Sequence, residues 1–195
     1  MLMNNKQLKD NHVINTMITE HEHILEMLDE LEKISLKLSD CNQDSAIVYR
    51  DRVNKLAIKI IGAEPHHKRE EEVLFPAMEE NGFSGPTECM RMEHEMMRKM
   101  KQALKDETEN SEESCCCDWK NKNNKISQLI SELCRTLRAH IDKENNVLYP
   151  MALQSITDDT KWEEMKIKCD EIGYCCFCPT IHELDKTTEN KLSQS

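Results

Sequence analysis

A chain of 195 residues has room for one domain and an appendage. Only 4% of its residues are aromatic, with 4 Gly and 5 Pro against 12 Met, which disfavours a sheet and suits long helices. The formal net charge of −11 and the absence of a basic cluster exclude nucleic acid as an expected partner, and no apolar run reaches membrane-spanning length.

The first helix is expected from about Asn11 to about Leu38, because Ile14, Ile18, Leu25, Leu28, Leu31, Ile34 and Leu38 recur at three- and four-residue steps. His21 falls on or beside that stripe. Ser39 to Asn42 reads as a turn. A second helix follows from about Asp44 to about Asn81, with Val48, Val53, Leu56, Ile60, Ala63 and Val73 as its stripe. Pro65 and Pro76 should bend it, and Asn81-Gly82 should end it. Ser84 offers an N-cap for a third helix that reaches about Glu107. An acidic polar segment, Asp106 to Ser114, then leads into Cys115-Cys116-Cys117. The fourth helix spans about Trp119 to about Leu153, and its stripe is Ile126, Leu129, Ile130, Leu133, Leu137, Ile141 and Leu148.

Short connections between long helices imply antiparallel neighbours. The expected fold is all-α, an up-down-up-down four-helix bundle over residues 11–153. Residues 154–195 should add a short helix from about Asp158 to about Ile172, with Trp162, Met165 and Cys169 facing inward, and a Cys-rich tail packed on or near the bundle. Met1 to Asp10 is polar and has no signal-peptide core, which points to a cytoplasmic protein. The 10 cysteines are then thiols rather than disulfides. The groups Cys115–Cys117 and Cys175-Cys176-Phe177-Cys178 could carry redox or metal chemistry, or none.

The most informative feature is an internal echo. His66-His67-Lys68-Arg69-Glu70-Glu71-Glu72-Val73-Leu74-Phe75-Pro76 returns as His140-Ile141-Asp142-Lys143-Glu144-Asn145-Asn146-Val147-Leu148-Tyr149-Pro150. Each copy sets a His one helical turn before a Glu, on the same face. A lone His precedes each copy, His21 by 45 positions and His94 by 46. Two helix pairs in tandem therefore offer His21, His66, Glu70, His94, His140 and Glu144 to one point. Imidazole and carboxylate together suit iron, manganese or zinc, and six donors exceed what a single tetrahedral zinc needs. Cations would also neutralise Glu70 and Glu144, which a packed core otherwise rejects.

Lone His, His-x-x-x-Glu, lone His, His-x-x-x-Glu, with Val-Leu-Phe-Pro and Val-Leu-Tyr-Pro tails, resembles the hemerythrin-like (HHE cation-binding) domain over roughly residues 11 to 153. The resemblance implies two iron ions joined by a solvent-derived oxo or hydroxo bridge. It implies Glu70 and Glu144 as bridging ligands, and His21, His66, His94 and His140 as terminal ones. Oxygen carriers of the family have a further His where this chain has Met90, and His67, next to His66 and about 100° around the helix from it, is the expected replacement. Glu22, Glu71 and Glu72, and the histidines His12, His23 and His182, are expected to stay outside the site.

The resemblance implies binding or sensing of dioxygen or a related small molecule such as NO. The alternatives are a peroxide- or NO-reducing enzyme, or an iron–sulfur repair or iron-homeostasis factor using the Cys groups, with the tail from Trp162 to Pro179 as a protein-partner surface. Repair members of the family carry an N-terminal cysteine pair. Met1 to Asp10 has no cysteine, so close kinship with them is not expected.

Overall fold

The computed structural model describes Leu8, residues 11–109 and residues 118–175. Four long antiparallel rods form the body: α1 (Val13–Asp40), α2 (Gln43–Ile61) with its continuation, α5 (Ser84–Glu109), and α6 (Asp118–Lys143) with its continuation. α1 packs on α2 and α6, and α5 packs on α2 and α6, closing the ring expected of an up-down-up-down bundle.

The helix ends follow local chemistry. The His12 Nδ1 accepts the Ile14 N–H at 3.2 Å and caps α1. Asn42 Oδ1 does the same for α2, accepting the Ser45 N–H at 2.9 Å. The second rod is not one helix over 44–81, as periodicity predicts. It breaks at Gly62 and Ala63, restarts as α3 (Glu64–Arg69) with Pro65 in its first turn, widens into a π-turn, π1 (Glu70–Leu74), and ends as α4 (Phe75–Glu79). Proline lacks an N–H, so it costs nothing in a first turn. The fourth rod repeats the device: α6, then π2 (Glu144–Leu148), then α7 (Tyr149–Ser155) with Pro150 in its first turn. Each π-turn opens on the Glu of a His-x-x-x-Glu pair and closes before the aromatic-Pro dipeptide. Such bulges insert one extra residue per turn and re-aim the side chains around them.

Two apolar layers fill the bundle. One holds Ile24, Leu28, Leu56, Ile60, Met97, Ile130, Leu137 and Ile141; the other holds Ile14, Met17, Leu74, Phe75, Met78, Met90, Leu148 and Tyr149. On every rod the switch between layers falls at the His and Glu residues of the repeat. Val48 leaves the expected stripe and is 65% exposed. Beyond α7, Asp158 caps α8 (Asp159–Ile172), and Trp162, Met165 and Cys169 are buried against the second layer, as their spacing predicts.

Candidate di-metal centre

The polar layer between the two apolar layers contains the residues the repeat nominates. His21, His66, Glu70, His94, His140 and Glu144 are each no more than 2% exposed, and His67 is 5% exposed. Three overlapping groups have donor atoms within 4.8 Å of one another: His21, His66 and Glu144; Glu70, His94 and Glu144; and His67, His94 and His140. His67 therefore lies in the same pocket, stacked on the His94 ring at a centroid distance of 4.0 Å. The residue at the expected oxygen-carrier position, Met90, packs in the second apolar layer instead.

A shell of carboxylates and amides orients the rings, and it follows the repeat. Glu20 accepts from His66 Nδ1 at 2.8 Å, and Glu93 accepts from His140 Nδ1 at 2.8 Å. Each of these glutamates immediately precedes a lone His. Arg69 and Lys143, three positions after His66 and His140, hold Glu20 and Glu93 in turn. The lone histidines are held by the residue after each pair's Glu: His21 Nδ1 donates to Asn145 at 2.9 Å, and His94 Nδ1 donates to Glu71 at 2.7 Å. Glu71 is thus part of the site rather than of a solvated face. Sequence reasoning passed over Glu20, Glu71, Glu93 and Asn145, although their duplicated places beside the motif were visible.

With all four Nδ1 atoms donating, the four Nε2 atoms carry lone pairs whenever the rings are neutral, the state that metal binding requires. Those lone pairs face each other: His21 Nε2 to His66 Nε2 is 3.0 Å, and His94 Nε2 to His140 Nε2 is 3.0 Å. Two acceptors at that distance repel unless a cation joins them. Metal–imidazole bonds of about 2.1 Å at right angles place neighbouring donor atoms about 3.0 Å apart, so each pair has the spacing of adjacent ligands on one ion.

Glu144 spans the halves, with Oε2 at 3.2 Å from His21 Nε2 and Oε1 at 2.8 Å from His140 Nε2. Glu70 places Oε2 between them, 3.5 Å from His66 Nε2 and 3.4 Å from His94 Nε2. Its Oε1 accepts from the Tyr149 hydroxyl at 2.8 Å. Glu70 Oε2, Glu144 Oε1 and His67 Nδ1 are buried without a hydrogen bond, an arrangement that cations at this point would complete.

The protonation balance agrees. Burial first, and then the charge of Glu144, raise the Glu70 carboxyl well above the usual carboxylate range. Burial opposes ionisation of Glu144 too, but the charge of His140 and hydrogen bonds from His140, His21 and His94, which form when those rings carry a proton on Nε2, hold it well below that range; against the effect of burial, the same contacts raise His94 and His140. The metal-free pair thus shares a proton that metal binding would displace. Burial pushes His66 down to about 4 and His67 well below its ordinary value, leaving both neutral and able to ligate.

Fold and site together define a four-helix-bundle protein with a buried His/carboxylate centre for two metal ions. Residues 12–152 match the family described as Hemerythrin HHE cation binding domain, and the chain belongs to that family. The di-iron centre of the family fits this donor set. The chain is 32% identical over 138 residues to an iron-sulfur cluster repair protein YtfE of Enterobacter sp. (strain 638). It is 30% identical over 138 residues to those of Escherichia coli O1:K1 and Escherichia fergusonii. Each match spans 68% of this chain and 61% of the relative. Similarity to these repair proteins is greater than the lack of cysteine in Met1 to Asp10 led us to expect.

The remaining sequence candidates separate. His12 caps α1 and lies against Trp162, and His23 pairs with Glu26 near the surface. Among the described cysteines, Cys134, Cys169 and Cys175 are buried and Cys89 is exposed. Cys115–Cys117, Cys176, Cys178 and His182 lie outside the described residues, so the thiol-relay expectation is not addressed by the fold. No helix among the described residues is long and apolar enough to cross a membrane.

Proposed function

We propose that the chain is a non-haem di-iron protein that binds or senses dioxygen or a related small molecule such as nitric oxide. The observation that carries this reading is the pair of facing Nε2 atoms on each side of Glu144. His67, His94 and His140 would hold one iron, and His21 and His66 the other, with Glu70 and Glu144 between them. Bound iron supplies reversible one-electron steps between the ferrous and ferric states. The half with fewer imidazoles is the one with room for an added ligand. Tyr149 stands on that half, its hydroxyl 3.5 Å from His21 Nε2 and its ring stacked on His21. Phe75 occupies the equivalent place on the other half, stacked on His94. By holding Glu70 Oε1, Tyr149 keeps that oxygen from filling the open side. Leu137 and Ile141 above, with Met17 and Leu148 below, keep bulk water from the pocket.

Metal analysis and optical spectra test the reading. The expected result is two irons per chain and a charge-transfer band that changes reversibly when anaerobic ferrous protein meets oxygen or NO. A ferrous protein whose spectrum is indifferent to both gases refutes it. A second reading, iron supply or reductive repair, is favoured by the repair role of the YtfE relatives. Catalytic consumption of peroxide or NO under stopped flow would select it over simple binding.

A further inference from the structure

Helix α8 and residues 173–175 lie outside the segment that matches the family. The end of α8 nevertheless reaches the shell that orients His66. Gly173 stops the helix at φ 91°, a left-handed conformation that glycine adopts without strain, and this turns the next two residues back over the bundle. The Tyr174 ring lies over the Arg69 guanidinium, 4.7 Å from Cζ to the ring centroid. The Cys175 N–H donates to Glu20 Oε1 at 3.2 Å, and its Sγ lies 3.7 Å from the Ala63 carbonyl, at the break just before α3. Cys175 is 2% exposed, and its side chain joins the first apolar layer.

Glu20 therefore has three kinds of donor: Arg69 Nη2, His66 Nδ1 and the backbone of Cys175. Glu93, its counterpart in the other half, has Lys143 and His140. Glu20 is fully buried, whereas the Glu93 side chain is 22% exposed. His67 apart, the ligands repeat between the two halves; one layer out, Glu20 differs from Glu93 by the donor that the tail supplies.

The geometry points to Gly173–Cys175 as a strap that, through Glu20, locks His66 and sets how readily the metal on the His21/His66 half is released. Tyr174 and Cys175 are positioning residues for that metal. This rests on the two-iron reading and adds to it a structural control of iron release. Lifting the strap removes one donor from Glu20 and the aromatic cover from Arg69. Water then reaches the carboxylate, and the His66 ring loses its fixed orientation. Disturbing such a partner typically weakens metal affinity by about 10–100-fold.

The test uses the full chain loaded with iron and reduced, with transfer of ferrous iron to a colorimetric chelator followed in time. Cys175→Pro deletes the N–H, Cys175→Ser keeps it, and Tyr174→Ala removes the ring over Arg69. The strap predicts that one of two irons leaves about ten-fold faster in Cys175→Pro and several-fold faster in Tyr174→Ala. The other iron, with His67, His94 and His140 as its holders, should leave at the wild-type rate, and Cys175→Ser, which keeps the N–H, should release the first iron far more slowly than Cys175→Pro does. A uniform acceleration of both irons would mean ordinary destabilisation and overturn the strap. So would unchanged rates in Cys175→Pro and Tyr174→Ala. If Cys175→Pro does not fold, Tyr174→Ala alone decides. Stoichiometry is measured first: a wild-type chain holding fewer than two irons overturns the two-iron reading, and the strap with it.

Discussion

Replacing Arg69 by Met isolates a fully buried ion pair. Arg69 is 0% exposed and donates to both oxygens of Glu20, which is itself 0% exposed. Burial alone would raise the Glu20 carboxyl. The His66 hydrogen bond and the charges of His66 and Arg69 outweigh it and bring Glu20 down to about 2. With His66 itself lowered to about 4, the lasting positive charge at neutral pH is that of Arg69. Met fills much of the stem volume without the charge, so the loss is mainly electrostatic. Breaking a buried pair by removing one partner costs about 3–5 kcal/mol, a large share of the 5–15 kcal/mol of a typical domain. For a chain of this size that corresponds to a fall in melting temperature of roughly 6–20 °C. The assay is thermal unfolding of the metal-free protein by circular dichroism between pH 7 and pH 3.

The direction with pH follows from linkage. In the wild type the lowered Glu20 pKa contributes stability that is complete above about 4.5 and is lost as pH falls toward about 2. In the Arg69→Met protein the buried carboxyl has lost its main counter-charge, and its pKa should rise above the ordinary value. The deficit relative to wild type should therefore be largest at neutral pH and shrink as acid protonates Glu20. Adding Glu20→Gln to Arg69→Met should restore part of the loss, because no uncompensated charge remains. A deficit below about 1 kcal/mol at pH 7, or one that grows toward acid, would refute the account of this pair.

Three further outcomes can be checked. Glu144→Gln should lower bound iron below two per chain in metal analysis, since a neutral amide cannot replace the carboxylate that reaches both halves. Tyr149→Phe should lower the stability of the metal-free protein by about 1–3 kcal/mol in denaturant titration, because Glu70 Oε1 loses the hydroxyl that it accepts from. Loading the metal-free protein should release protons in unbuffered solution, because Glu70 retains its proton until metal arrives, and apparent affinity should rise with pH across the acidic range. Affinity independent of pH would contradict that protonation state.

The helices, their antiparallel order and the His and Glu residues that gather in the buried polar layer were legible in the sequence because they rest on short-range rules. Periodicity nominates α1 and α6 from their Ile and Leu spacing, and a four-residue step puts His66 beside Glu70 whatever the rest of the chain does. Duplication then tells the residues of the buried layer from ordinary surface histidines such as His23. Only the tertiary structure decided how the rings are held. Glu20 reaches His66, and Asn145 reaches His21, across helices separated by more than 40 and 120 positions, respectively. No local period encodes which polar residue will face a given Nδ1, so Glu71 read as a solvated charge until the π-turn placed it against His94. The same holds for Cys175, whose backbone meets Glu20 only because α8 folds back over the bundle. Local spacing determines which donors this protein can present; the packing of distant segments decides which of them are locked in place.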